Sequence, residues 1–249
     1  MLLDTGKIND LDEAADKFES PFATAVRMRK FDAAGYLLEH GADVNRLAVN
    51  GLRSFPVDYP ATTVLGSVLR QEGSLSSLAC ISFILKETNA SPYANRSKNL
   101  TVLHCLSQGT STLGGHNDVF MREAFNLLND RFHFTKEIFN ARQDGEGLTA
   151  LEVAVSNDKV GLVEELILAG AEWDVVEPNP KGHESALVLA MKKLYLFPQG
   201  VTTDEGNCPS KEEQLDRAFG NRRYITLILC RKARDRALVA SRDLTGGQK

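Results

Sequence analysis

The chain sets short apolar stretches at helical spacing against abrupt glycine or polar stops. Residues 37–45 read LLEHGADVN, a leucine pair and two polar residues running into Gly41 and a small polar tail. A glycine behind helix-compatible residues predicts a helix that ends in the left-handed region, where glycine pays no Cβ penalty. Upstream, Ser20-Pro21 predicts a helix start. Serine accepts orphan N–H groups as N-cap, and proline at the first helical position loses no hydrogen bond. FATAVRM (22–28) is small and apolar enough to pack closely, and FDAAGYLLEH (31–40) follows Arg29-Lys30. Residues 20–45 therefore read as helix, tight turn, helix and glycine stop.

The pattern returns along the chain. Residues 149–155, TALEVAV, match 20–26 position by position, and 166–172, LILAGAE, match 37–43 at the same offset. A third start is TVLHCLS at 101–107, with MREAFNLLNDRF (121–132) as its second helix. A fourth is TVLGSVL at 63–69, followed by CISFILKETN (80–89). A fifth is SALVLAM at 185–191, whose second helix, RRYITLILCRKA (222–233), is displaced by an insert. Leu166 and Leu227 are read as core positions of the fourth and fifth units.

These units resemble ankyrin repeats, whose pattern carries a T-P-L-H start, an apolar second helix and a G-A-D-V-N end. The resemblance covers roughly residues 20–235 and is strongest in the first and fourth units. It implies an all-α fold, an α-solenoid of about five stacked helix-turn-helix repeats with irregular loop inserts. Asp144-Gly145-Glu146-Gly147-Leu148-Thr149 fits the turn that leads into the fourth helix pair. The capping positions, 20, 63, 101, 149 and 185, are more widely spaced than the family period of about 33 residues. The excess falls in Leu47–Ala61, Gly109–Asn117 and Leu196–Lys211.

Before the first unit, Ile8, Leu11, Ala15 and Phe18 keep helical spacing, and Asp10, Asp12 and Glu13 suit a helix N-terminus. Residues 1–19 are thus read as a capping helix or a partial repeat, and 20–242 as the repeat domain. The arginine-rich stretch Arg222 to Arg242 is read as the C-terminal cap, and 243–249 as a disordered tail.

Composition narrows the function classes. With 43% hydrophobic and 25% charged residues the chain is an ordinary globular one, and its net charge of −4 gives no general drive toward nucleic acid or anionic membrane. No apolar run approaches the roughly 20 residues of a membrane span. The opening MLLDTGKINDLDEAADKF carries acids where a signal peptide carries lysines, so an intracellular chain is expected. Cys80, Cys105, Cys208 and Cys230 stand singly, which fits reduced thiols better than a metal site or a disulfide framework. The sequons at Asn89, Asn95 and Asn99 then carry no glycan.

No residue pattern calls for catalysis, a cofactor or a metal. His104, in its T-x-L-H setting, is expected to hydrogen-bond between neighbouring units, as the resemblance implies. His40 suits the C-terminal end of a helix dipole. His116, His133 and His183 have no Cys or His at ligand spacing. Gly109 and Gly114-Gly115 lack the lysine and preceding strand of a phosphate loop, and no G-x-S-x-G occurs. Trp173 follows a glycine stop and is expected to pack on the next turn.

The resemblance implies a concave binding face. Just after each first-helix motif lie Arg27 and Met28, Arg70 and Gln71, Gln108, Ser156 and Asn157, then Lys192 and Lys193. Projecting turns would offer Tyr59, Lys98 and Glu146, among others. Arg27, Arg29, Lys30, Arg70, Lys98, Lys192 and Lys193 would form a basic stripe suited to an acidic or phosphorylated protein segment. The expected role is a non-catalytic protein-interaction module. The alternative is a recognition or autoinhibitory arm of a larger multidomain enzyme or receptor.

Overall fold

The computed structural model describes residues 20–47, 61–70, 75–109, 116–145, 147–174, 184–195 and 209–246. The expected helix within 8–19, the candidates Tyr59, Gln71 and Glu146, and most of the two longer inserts lie outside the described residues. What is described is mostly helical.

The first unit forms for the reasons its sequence gives. Helix α1 (Pro21–Arg27) starts on Ser20, whose Oγ accepts the Ala23 N–H at 3.2 Å, with Pro21 at the first helical position. Helix α2 (Phe31–Glu39) ends at Gly41, which takes φ +95°. The fourth unit repeats this geometry in helices α8 (Ala150–Ser156) and α9 (Val160–Leu168), closed by Gly170 at φ +99°. The turn between the helices also agrees, since Arg29 and Asp158 both adopt φ 56°.

The second unit is α3 (Val64–Arg70) and α4 (Leu75–Glu87). The third is α5 (Val102–Gln108) and α6 (His116–Phe132), followed by a short α7 (Lys136–Phe139). The fifth is α10 (Ala186–Tyr195) and α11 (Pro209–Gly246). Helix α4 begins earlier than the expected 80, and α6 takes in the last residues of the stretch read as a loop through Asn117. Helix α11 absorbs the end of the third insert and continues to Gly246, into the stretch read as a tail. Its sequence from Pro209 onward is rich in Arg, Lys, Glu, Leu and Ala, all good helix formers, and Gly220 does not break it.

One element falls outside the all-α expectation. Strands β1 (Tyr93–Asn95) and β2 (Leu100–Thr101) pair antiparallel around a 3-10 turn at Arg96–Lys98. Asn99, at φ 48°, makes the reversal possible. A matching bridge joins Arg142 to Thr149 ahead of α8.

Packing follows chain order. The first helices α3, α5, α8 and α10 touch in succession, and so do the second helices α4, α6, α9 and α11. One apolar cluster runs from Phe22 to Leu229. The first unit joins it through the Phe31 and Phe83 rings, stacked with centroids 4.7 Å apart, and through the Cys80 thiol, which donates to the Val26 carbonyl at 3.3 Å. Close approach in the second unit depends on Gly66, where a Cβ would stand 2.8 Å from that of Ala94. Leu166 is fully buried as expected. Leu227 is not, being 48% exposed, and Ile225 and Leu229 fill the core from α11 instead. Among the described residues no helix is long and apolar enough to cross a membrane.

Candidate binding surface

The residues chosen for a solvent-facing stripe divide into two sets. Arg70 belongs to neither the surface nor any stripe: it is 1% exposed. Its Nε and Nη2 donate to Gln108 Oε1 at 3.0 and 2.8 Å, and Gln108 Nε2 donates to Gln143 Oε1 at 3.2 Å. Arg70 and Gln108 each end the first helix of their unit and Gln143 lies in the turn ahead of α8, so a polar ladder links the ends of α3 and α5 to that turn. The expectation that Arg70 faces solvent is therefore corrected. A long side chain at the helix end reaches inward because the next unit supplies an acceptor for its fork.

Further along, the same position is also committed to neighbours. Asn157 Nδ2 donates to the Ser107 carbonyl at 3.0 Å, and Ser107 Oγ donates to the Ala150 carbonyl at 2.8 Å. Ser156 Oγ donates back to the Glu152 carbonyl at 2.9 Å. Lys193 is half-buried; its Nζ donates to the Ser156 carbonyl and pairs with Asp158 at 2.9 Å. Asp158 also accepts from Arg222 Nε at 3.0 Å, which ties the turn of the fourth unit to both helices of the fifth. Gln108, Ser156, Asn157 and Lys193 therefore join units to each other.

A second set remains outward. Arg27 and Met28 are exposed beside Arg29 and Lys30, and the Arg27 guanidinium lies 3.9 Å from the Met28 sulfur. Lys192 is exposed and pairs with Glu184. Lys98 is exposed at the tip of the β1–β2 turn, next to Arg96 and Ser97. Sequence reasoning passed over Arg96 and Asn99. The signal available was Asn99 two residues ahead of the Thr101 cap, since asparagine tolerates the left-handed conformation.

That tip is held firmly. Asn99 Nδ2 donates to the Arg142 carbonyl at 2.8 Å, and the Asp144 N–H donates to the Lys98 carbonyl at 2.9 Å. Ser97 Oγ donates to Asn95 Oδ1 at 2.8 Å, Asn95 Nδ2 donates to the Ala61 carbonyl at 2.8 Å, and Arg96 lies over the Tyr93 ring. Turns from the second, third and fourth units therefore stand side by side, with cations at the middle one.

The histidine and thiol chemistry is structural in character. His104 is fully buried, and its Nδ1 accepts from the Thr101 N–H at 3.3 Å. The proton therefore sits on Nε2, which donates to the Leu148 carbonyl of the next unit at 3.0 Å. This is the inter-unit bond the sequence led us to expect. Burial holds the imidazole down at about 4, helped by nearby Arg70 and opposed by its bonds to backbone carbonyls. In the fourth unit Glu152 stands in the same place, accepting from the Thr149 N–H at 2.8 Å and pairing with Arg142 at 2.9 Å. Burial pushes the Cys105 thiol up to about 11, leaving it a poor nucleophile. His40 Nδ1 donates to the Tyr36 carbonyl at 2.7 Å, as a helix-end histidine should. Trp173 is partly buried against the core, with Arg236 of α11 above its ring.

One buried cation lies apart from these bonds. Lys159, at the start of α9, is 3% exposed and its Nζ has no hydrogen-bond partner. Burial lowers it to about 8, against the pull of Asp118 and Asp158. Among the described residues no group of His, Cys, Asp and Glu side chains is placed to hold a metal ion. No protein-family model and no curated protein matches the chain.

Proposed function

We propose that the chain is an α-solenoid of about five ankyrin-like repeats that works as a non-catalytic module binding another protein. The chain-order succession of first helices and of second helices supports the arrangement, as do the matching turns at Arg29 and Asp158 and at Gly41 and Gly170. Stacked units of this kind present a rigid row of turns. The functional reading rests on one observation: the exposed Arg96–Lys98 tip, fixed between its neighbours through Asn99 and Asp144. A pre-ordered pair of cations loses little entropy on meeting a ligand, and guanidinium and ammonium groups pair well with carboxylate and phosphate.

The target is accordingly an acidic or phosphorylated segment of a partner protein, taken across the turn tips and the exposed Arg27 end. The test is a fluorescence-anisotropy titration with a synthetic peptide of glutamates and one phosphoserine. The double variant Arg96→Glu, Lys98→Glu is expected to bind at least about tenfold more weakly than the parent. Raising salt from about 0.05 to about 0.5 M should weaken the parent as well, because exposed charges are screened. Binding indifferent to both changes overturns the reading.

A further inference from the structure

Interior first helices of the stack are covered on every side: 102–107 in α5 and 150–155 in α8 are buried without a break. Helix α10, ALVLAMKKLY, has the same apolar composition through its first two turns, yet only Ala186 and Ala190 are buried. It packs on α8 and α11. Val188, Met191 and Tyr195 recur at i, i+3 and i+7, so they form a single stripe opposite Ala186 and Ala190. Met191 is 52% and Tyr195 87% exposed. Beside it, α11 shows a second exposed stripe in which Arg223, Leu227, Arg231 and Arg234 recur at i, i+4, i+8 and i+11. The other end of the stack differs, since α1 turns Thr24 and Arg27 outward with Met28.

Helix α10 therefore has both faces of an interior helix but one first-helix neighbour. A terminal unit normally closes with a polar face because nothing stacks on it. From this geometry we infer that the α10–α11 end face docks an amphipathic helix of a partner protein, apolar on one side and acidic on its flanks. A helix fits because the Val188, Met191 and Tyr195 stripe has helical pitch and continues the α8–α10 packing outward. Acidic flanks fit because Arg223, Arg231, Lys232 and Arg234 outnumber Asp235 on the exposed part of α11. The same cations set two copies of this face against each other. This surface is separate from the turn tips, so the two can fail independently.

The probe is a synthetic amphipathic helix of leucine and glutamate, titrated against the full chain by anisotropy and compared with its leucine–lysine counterpart. The glutamate peptide is expected to bind at least about tenfold more tightly than the lysine one. Met191→Asp should weaken it at least about tenfold and Arg231→Glu should weaken it further in combination, all measured in the Arg96→Glu, Lys98→Glu background, in which the turn tips no longer take an acidic peptide. Met191 and Arg231 are exposed, and unchanged circular dichroism and melting of both variants keep loss of fold out of the result. Equal binding of the two peptides, or full binding by Met191→Asp, overturns the inference. So does a concentration-dependent mass of the chain alone that Met191→Asp abolishes, which assigns the face to a second copy. Binding that appears only after residues 196–208 are replaced by a glycine-serine linker assigns it to that segment instead.

Discussion

Arg70 of the second unit closes its guanidinium on a single oxygen of Gln108 in the third, with Nε at 3.0 Å and Nη2 at 2.8 Å. Arg70 is buried and Gln108 half-buried, so the two residues are coupled through packing as well as hydrogen bonds. Removing either one leaves a polar group stranded in a low-dielectric seam.

Arg70→Ala is therefore expected to destabilise the chain by roughly 2–4 kcal/mol, through lost packing and an unpaired Gln108 oxygen. Arg70→Lys should recover only part of this, since an ammonium cannot present the same fork. Urea unfolding followed by circular dichroism gives the measurement. A midpoint unchanged in Arg70→Ala would place the side chain in solvent after all.

His104 makes stability depend on pH. Its folded value of about 4 lies below the ordinary 6.5, so the unfolded chain binds the extra proton first. The His104 contribution is complete above about 6.5 and is lost as pH falls toward 4, a change of order 3 kcal/mol. Unfolding free energies measured at pH 7 and pH 4.5 should show this slope in the parent. His104→Gln should be less stable at pH 7 and should lack that part of the slope. A parent whose stability does not fall between those pH values would mean that the imidazole is already reached by water.

What the sequence made legible were features decided within one unit. Ser20, Thr101 and Thr149 act as N-caps because the hydroxyl and the N–H it accepts are three residues apart. Gly41 and Gly170 stop their helices for an equally local reason. The fate of Arg70 was not legible, because its acceptor lies 38 residues away and belongs to another helix. The same holds for Asn99, whose side chain fixes a turn against Arg142, 43 residues on. Leu227 misled because it lies two residues from both Ile225 and Leu229, on the face of α11 turned away from the core. Pairing between units thus decided which of the candidate side chains stayed outside.

Two substitutions separate local geometry from packing. Gly41→Val should cost more than about 1 kcal/mol even though nothing lies within 4 Å of the added Cβ, because φ +95° is strained for a β-branched residue. Leu166→Ala should cost roughly 2–5 kcal/mol, whereas Leu227→Ala should stay within about 0.5 kcal/mol. Differential scanning calorimetry on all three checks the assignment. Equal costs at Leu166 and Leu227 would contradict the orientation of α11.

Lys159 should be the position where a substitution gains stability. Its ammonium is buried without a hydrogen-bond partner, and its folded value of about 8 lies below the ordinary 10.5. Below about 8 the folded chain carries the full cost of a buried charge, and as pH rises toward 10.5 that cost disappears. The parent should therefore grow more stable over that window on account of this group. Lys159→Met keeps the length and packing of the side chain while removing the charge, and at pH 7 it should raise stability by up to about 3 kcal/mol. The advantage should shrink when the same pair of proteins is unfolded at pH 10. Asp118→Asn supplies the complementary test: losing a nearby carboxylate should deepen the Lys159 penalty, so Lys159→Met should gain more in that background. A methionine variant less stable than the parent at pH 7 would show that the ammonium holds a favourable contact there.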